Sequence, residues 1–296
     1  MRPPLFIVAP PRSYTSVVGG MLGQHPQAYG LPEVNLSQAD TLGDLWDARP
    51  LMKNFAASGM SGLLRLLAEL HEGTQTEEAV VRARRWILRR LHWPTGRVLA
   101  HIQEAVGPDR MLIDKSPRNT IRVDNMRRLL RICPDASFLH LTRHPRTQSR
   151  SLVDLMKATG LGDSAPDTPE RTWLRAQTNI LEFAAGLATG QYMRIKGETL
   201  LRQPHFYLGQ ICDWLDLDAG PDSIEAMLHP ETSPYACFGP PSAPFGNDPN
   251  FLEQPVLDFD RLARIKEPPL EGDLEWQLDA RMEQPVKRLA RQFGYA

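Results

Sequence analysis

The stretch FIVAPPRSYTSVVGGMLGQHP, residues 6–26, sets Arg12 and the hydroxyls of Ser13, Thr15 and Ser16 between an apolar run and a small-residue helical pattern. A strand that turns tightly into a helix aims several unpaired backbone N–H groups, and the positive end of the helix dipole, at one point. Such a point favours an anion. The hydroxyls add donors, and Arg12 adds a charge that neutral pH cannot remove. The loop is not a Walker A loop, because it lacks G-x-x-x-x-G-K-[ST] and has Arg where the lysine would stand. An ordinary capped helix start is the competing account of the same residues. A second strand end of this kind occurs in LHLTRHPRTQSRS, where Arg143 closes an apolar run and Ser151 follows eight residues later. Eight residues make about two helical turns, so with a turn at His144–Pro145 both side chains converge on a second anion. A lone arginine after a strand is usually a surface residue. Two anion-ready strand ends in one chain favour the functional account.

The elements that must position these groups are legible as four short apolar runs: LFIVA (5–9), RMLID (110–114), SFLHLT (137–142) and YMRIK (192–196). Helical pattern separates each from the next. Met126, Leu129, Leu130 and Cys133 follow the i, i+3, i+4, i+7 spacing of a buried stripe, and Leu208, Ile211, Cys212 and Leu215 repeat it. Strands alternating with helices imply an α/β fold with a P-loop-like parallel sheet flanked by helices, whose ligands sit at the C-terminal strand ends. The chain is expected to form a single domain, 1–296. Residues 52–104 are helical in pattern and imply a helical insert or lid. Residues 230–269 hold much of the proline and, with Tyr235, Phe238, Phe245 and Phe251, imply a packed cover. A last helix is expected over about 273–292, with Leu274, Leu278, Met282, Val286 and Leu289 on one stripe.

With 34 Lys and Arg against 35 Asp and Glu, the formal charge is −1, so no global field draws the chain to nucleic acid or anionic membranes. Any anion site is local. The three cysteines, Cys133, Cys212 and Cys237, are odd in number and far apart, which argues against a disulfide framework and against paired metal-ligand motifs. The first apolar run is too short for a signal-peptide core or a membrane span, and the expected compartment is the cytoplasm.

These motifs together resemble the sulfotransferases that use 3'-phosphoadenosine 5'-phosphosulfate (PAPS). PRSYTS is similar to that family's 5'-phosphosulfate loop, commonly P-[RK]-S-G-T-[TS], and LTRHPRTQSRS to its 3'-phosphate motif. MRIKGETLLRQPHFYLGQICDWLDL is similar to its R-Y-E-D-L segment and the helix beyond, and LIDKSPRN to the D-K-[ST]-P element of the bacterial and tyrosylprotein branches. The resemblance implies a sulfotransferase fold, PAPS as co-substrate, no metal, and transfer of a sulfonate to a hydroxyl acceptor. It further implies that Ser13, Tyr14, Thr15 and Ser16 hold the 5'-phosphate, that Arg12 stands beside the transferring sulfonate with Lys115 opposite, and that Arg143 and Ser151 hold the 3'-phosphate. Fixed donors aimed at developing charge are the largest catalytic contribution in many enzymes. For the base, Glu33 lies eight residues after His25, the spacing at which the tyrosylprotein branch places a catalytic glutamate. His101 is the competitor, because other sulfotransferases use a histidine.

Two departures from the family pattern stand out. Tyr14 replaces the usual loop glycine, so either the loop needs no positive φ there or the tyrosine accepts strain; its ring is then available to line the acceptor pocket. Gly197 stands where a tyrosine is common. The acceptor implied is a small-molecule or lipid-like alcohol. The helix VVRARRWILRRLHW puts Arg82, Arg85 and Arg89 on one face, which is either a solvated face or a dock for an acidic carrier protein presenting a tethered acceptor. A P-loop kinase and a non-catalytic PAPS-binding module are the rival functions. The missing Walker lysine counts against the first, and the joint presence of Arg12, Lys115 and Glu33 against the second.

Overall fold

The computed structural model describes residues 2–48, 59–159, 167–277 and 279–296. Leu5, Phe6, Ile7 and Val8 form β1 (Leu5–Val8), and all four are buried because side chains that alternate in direction meet a core on each side. Leu5 and Ile7 enter one core, Phe6 and Val8 the other. Strands β2 (Ala28–Gly30), β3 (Met111–Asp114), β4 (Ser137–Thr142) and β5 (Tyr192–Lys196) complete one sheet in the order β2-β3-β1-β4-β5. Every pair is parallel, and β1 is central, with Leu5 opposite both Ile113 and Ser137. The α/β architecture expected from the alternating pattern is therefore present. The edge strand β2 was not expected: three residues, Ala-Tyr-Gly, are too few to show an apolar run or an alternation.

Helices α1 (Thr15–Leu22) and α2 (Leu42–Asp47) follow β1 and β2, and α3 (Ser61–Glu72), α4 (Glu77–Leu88) and α5 (Thr95–Val106) lead to β3. Between β3 and β4 lies α6 (Val123–Ile132), and between β4 and β5 lie α7 (Pro145–Thr159) and α8 (Pro169–Ala184). After β5 come α9 (Gly197–Arg202), α10 (Pro204–Leu215), α11 (Pro221–Met227), the short α12 (Pro249–Glu253) and α13 (Phe259–Ala263), and finally α14 (Gln284–Gln292). Helices α3 to α5 occupy most of the segment expected to be a helical insert, whose residues 52–58 lie outside the described ones. Their Leu63, Leu66, Val80, Ile87, Val98 and Ile102 share one core with Phe6, Val8, Leu112 and Phe138 of the sheet. On the other face, the stripe Leu208, Ile211, Cys212 and Leu215 of α10 packs with Val18, Met21 and Leu22 of α1. No helix among the described residues is long and apolar enough to cross a membrane.

The helix expected over 273–292 is shorter. Only Gln284–Gln292 is helical, with Pro285 in its first turn, while Asp273 and Arg281 form an antiparallel bridge around a turn in which Asp279 has φ 55°. Leu274, Met282 and Val286 nevertheless gather in one buried cluster with Trp173, and Leu289 packs beside it; Leu278 lies outside the described residues. The apolar spacing was satisfied by a turn and a short helix rather than by one long helix. The Pro-rich segment 230–269 buries Tyr235 and Phe251, and Phe251 and Pro230 pack over Gly20 of α1.

Strand β4 carries a histidine, His140, that is fully buried between Tyr192 Oη at 2.6 Å and Gln177 Oε1 at 2.6 Å. Burial pulls it down to about 3, the Gln177 bond opposes that, and Arg194 adds to it. An unfolded histidine takes up its proton near pH 6.5. Between these values the unfolded chain holds more protons than the folded one, so stability is full above about pH 6.5 and falls as pH drops toward 3. Urea unfolding should lose about 1–2 kcal/mol between pH 7 and pH 5, with a weaker slope in His140→Gln; identical slopes would show that this histidine titrates freely in the fold.

Candidate active site

All five parallel strands end at the same edge of the sheet, and four of them lead into side chains that can hold or move charge there. After β1, Pro10 and Pro11 restrict the backbone and lead into two left-handed non-glycine residues, Arg12 at φ 66° and Tyr14 at φ 63°. Such conformations cost about 1–3 kcal/mol each, and surrounding contacts must hold them in place. Tyr14 is the cap of α1 yet makes no side-chain capping bond, so the first-turn N–H groups of α1 keep no side-chain partner from the cap. Ser13 is fully buried, and its Oγ has no hydrogen-bond partner. A buried orphan hydroxyl beside unsatisfied helix-start amides is the donor set that an anion would complete.

The end of β3 supplies Lys115, which is almost wholly buried and donates to Ser16 Oγ at 3.1 Å and to Glu33 Oε1 at 3.0 Å. Glu33 comes from the loop after β2, so three strand ends meet at one ammonium. Ser16 Oγ also accepts from the Asp248 backbone N–H at 3.2 Å. A hydroxyl that accepts twice still has its own hydrogen to donate. The turn that presents Lys115 is fixed by Asp114, whose carboxylate accepts from Ser116 N, Ser116 Oγ and Asn119 Nδ2; burial nevertheless raises its pKa above the usual carboxylate range. Ser116 Oγ accepts from the Asn35 backbone and so ties this turn to the Glu33 loop.

At the end of β4, Arg143 Nη1 donates to the carbonyl of Arg12 at 2.5 Å and Nε to Thr147 Oγ1 at 3.2 Å. Arg12 Nε donates to Ser151 Oγ at 3.1 Å, and its Nη1 pairs with the carboxylate of Asp248. Arg12, Arg143 and Ser151 line a cleft of about 740 Å³ whose other wall carries Phe238, Phe245 and Trp276. Lys115, Glu33 and Ser16 are not among the residues that line this cleft. The two groups of residues singled out from the sequence are thus joined through Arg12 and Ser16.

His101 is not brought to this edge. It lies on α5, with its Nε2 2.9 Å from His71 Nε2 and its ring stacked on Trp86. Asp248 was missed by sequence reasoning. It sits 236 positions from Arg12, and nothing in GNDPN signals a partner that distant. The contact between Tyr14 and Gly197 was missed as well: a Cβ placed on Gly197, the residue after β5, would stand 2.6 Å from Tyr14 Cδ2. Among the described residues no group of three or more His, Cys, Asp or Glu could hold a metal ion.

Comparisons with known proteins fit this geometry. A family model described as a sulfotransferase family matches residues 3–221, which include all five strand ends and stop before the Pro-rich segment. Among solved structures, the sulfotransferase domain from the curacin biosynthetic pathway is 24% identical, with a TM-score of 0.77 over 100% of this chain and 99% of that one. The sulfotransferase domain from the Synechococcus PCC 7002 olefin synthase is 26% identical, with a TM-score of 0.74 over 100% of this chain and 97% of that one. No curated protein matches the chain.

The loop that carries Glu33 has almost no room to move. Its backbone N–H donates to the Gly246 carbonyl at 2.7 Å, and a Cβ on Gly62 would stand 2.2 Å from the Glu33 carbonyl oxygen. Gly62→Ala should therefore destabilise the protein by roughly 1–3 kcal/mol in urea unfolding, because the clash is with backbone. An unchanged midpoint would show that the loop yields.

Proposed function

The chain belongs to the sulfotransferase family, whose enzymes transfer a sulfonate group, and on that premise we propose that it moves the sulfonate of PAPS to an acceptor hydroxyl by in-line displacement. One observation carries the assignment: Ser13, with its orphan buried hydroxyl, lies between Arg12 and the uncapped start of α1, while Ser16 and Glu33 meet at Lys115. In this assignment the start of α1, with Ser13, Tyr14, Thr15 and Ser16, holds the 5'-phosphate. Arg143 and Ser151 hold the 3'-phosphate, which is what distinguishes this nucleotide from ATP.

Glu33 is the base. It accepts the proton of the acceptor hydroxyl as the oxygen attacks sulfur and the bond from sulfur to the phosphate oxygen breaks. Arg12 and Lys115 stabilise the charge that builds on that leaving oxygen, with Ser16 donating beside them. Such transfer is governed by positioning and charge stabilisation, as in phosphoryl transfer. Arg12 is neutralised by Asp248 before the nucleotide arrives, so binding exchanges one anion for another and draws the Pro-rich segment into the reaction cycle. That segment, 230–269, acts as the cover of the single domain. The acceptor is a small-molecule or lipid-like alcohol. A cytoplasmic setting, where the unpaired Cys133, Cys212 and Cys237 stay reduced, belongs to the same proposal.

The first test is calorimetry with adenosine 3',5'-bisphosphate beside ATP and ADP, followed by turnover of Glu33→Gln. Tight binding of the bisphosphate alone is expected, and the variant should keep that affinity within about twofold while turnover falls about 100-fold or more. Preference for ATP would overturn the donor, and near-normal turnover would remove Glu33 as base.

The exposed Arg82, Arg85 and Arg89 flank a groove on α4 with Arg90, Trp86 and His71. Arg82 already pairs with Glu72 at 2.9 Å, and among the described residues no ion pair occupies Arg85 or Arg89. A basic groove of this kind suits an acidic carrier that delivers a tethered acceptor. Reversing Arg82, Arg85 and Arg89 to Glu should lower kcat/KM on a carrier-bound acceptor about tenfold or more while sparing the free acceptor; equal losses on both would remove the dock.

A further inference from the structure

Arg143 needs a fixed direction to read a phosphate, because a guanidinium recognises anions through a planar fork rather than as a point charge. Three contacts set that direction here. The Arg12 carbonyl accepts from Nη1, Thr147 Oγ1 accepts from Nε, and the Tyr14 ring lies under the plane with Cζ 4.3 Å from its centroid. The first two hold edges of the guanidinium. Of these three contacts, the ring is the one that meets its face.

The ring can be there because residue 197 has no side chain. A Cβ at Gly197 would stand 2.6 Å from Tyr14 Cδ2 and 3.4 Å from Cε2. The ring is also aimed by its backbone, since the left-handed conformation of Tyr14 turns the side chain away from the usual course of a helix start. It is half-buried, and desolvation raises the phenol above its ordinary range, so the side chain meets Arg143 as a neutral aromatic plate.

We infer that Tyr14 is the positioning residue for Arg143: its ring, admitted by Gly197, holds the guanidinium in the plane that recognises the nucleotide's 3'-phosphate. Residue 14 thereby governs discrimination between a 3',5'-bisphosphorylated nucleoside and one phosphorylated only at the 5' position. The inference rests on the assignment of Arg143 to the 3'-phosphate. It adds that the 5'-phosphate loop itself sets the selectivity for the second phosphate, through one aromatic side chain.

The experiment measures the affinity of adenosine 3',5'-bisphosphate and of adenosine 5'-monophosphate by calorimetry for the wild type, Tyr14→Phe, Tyr14→Gly and Gly197→Ala. Glycine tolerates the left-handed backbone at position 14, so Tyr14→Gly removes the ring while leaving the helix start intact. Tyr14→Phe should keep the wild-type preference. Tyr14→Gly should weaken the bisphosphate about tenfold more than the monophosphate, because residue 14 lends the 5'-phosphate loop its backbone, which glycine keeps, and lends Arg143 its ring. Gly197→Ala leaves residue 14 unchanged but displaces its ring, and should reduce the preference in the same direction; it decides the matter where Tyr14→Gly fails to fold. A wild type without preference for the bisphosphate overturns the assignment of Arg143 and the inference with it. A wild-type preference that survives both Tyr14→Gly and Gly197→Ala, or equal losses on both nucleotides, overturns the role of Tyr14 alone.

Discussion

A lysine ammonium taken out of water costs several kcal/mol unless charge and hydrogen bonds replace its hydration, and Lys115 is 2% exposed. Its replacements are Glu33 and Ser16, which arrive from the ends of two other strands. The loop after β2, the start of α1 and the turn after β3 therefore cannot shift independently, because any one of them moving leaves a buried cation unpaired. The neighbouring features follow from this constraint. Asp114 spends its acceptor capacity on the turn that aims Lys115, Gly62 clears space for the Glu33 backbone, and Gly19 lets the lysine stem pass over α1.

Asp248 extends the same electrostatic logic to the cleft. Arg12 is bonded by Ser151 at one nitrogen and by Asp248 at another, so the strongest cation of the anion loop is not left bare. A pre-neutralised arginine binds stray anions weakly and rewards only a ligand that makes further contacts to outcompete the carboxylate. The segment carrying Asp248 is also tied by its backbone to Ser16 and, through Gly246, to Glu33. The Pro-rich segment is thus registered against Ser16 and Glu33 by polar contacts, while Phe251 packs it onto α1.

The Arg12 loop, Arg143 and Ser151, which the fold brings to one cleft, could be singled out because donors at strand ends leave a local trace: an apolar run, a turn, then donors. Four strands and the stripes of α6 and α10 were legible from periodicity alone. Lys115 and Glu33 were reached only through resemblance to a family, since an isolated lysine or glutamate after a turn has no distinguishing pattern. What escaped has physical reasons. A three-residue edge strand has no period, and an ion pair that joins Arg12 to Asp248 has no sequence neighbourhood. The stripe Leu274, Met282, Val286 was buried as expected, but burial fixes which side chains point inward and not which backbone carries them. Tyr14 and Gly197 looked like two unrelated departures from the family pattern, yet they are the two sides of one contact.

The central position of β1 has a consequence for how the molecule is made. Leu5 pairs with Ile113 on one side and with Ser137 on the other, and both partners lie far downstream. During synthesis the first strand waits, apolar on both faces, while α3 to α5 are produced without the sheet that completes their core. Non-local parallel pairing of this kind is slow to form and exposed to aggregation. Helix α1 buries Val18, Met21 and Leu22 in the core shared by β1, β3 and β4, so the loop before it is held in place by that packing. Loop and sheet thus share one dependence: both reach their final shape through pairings that are distant along the chain.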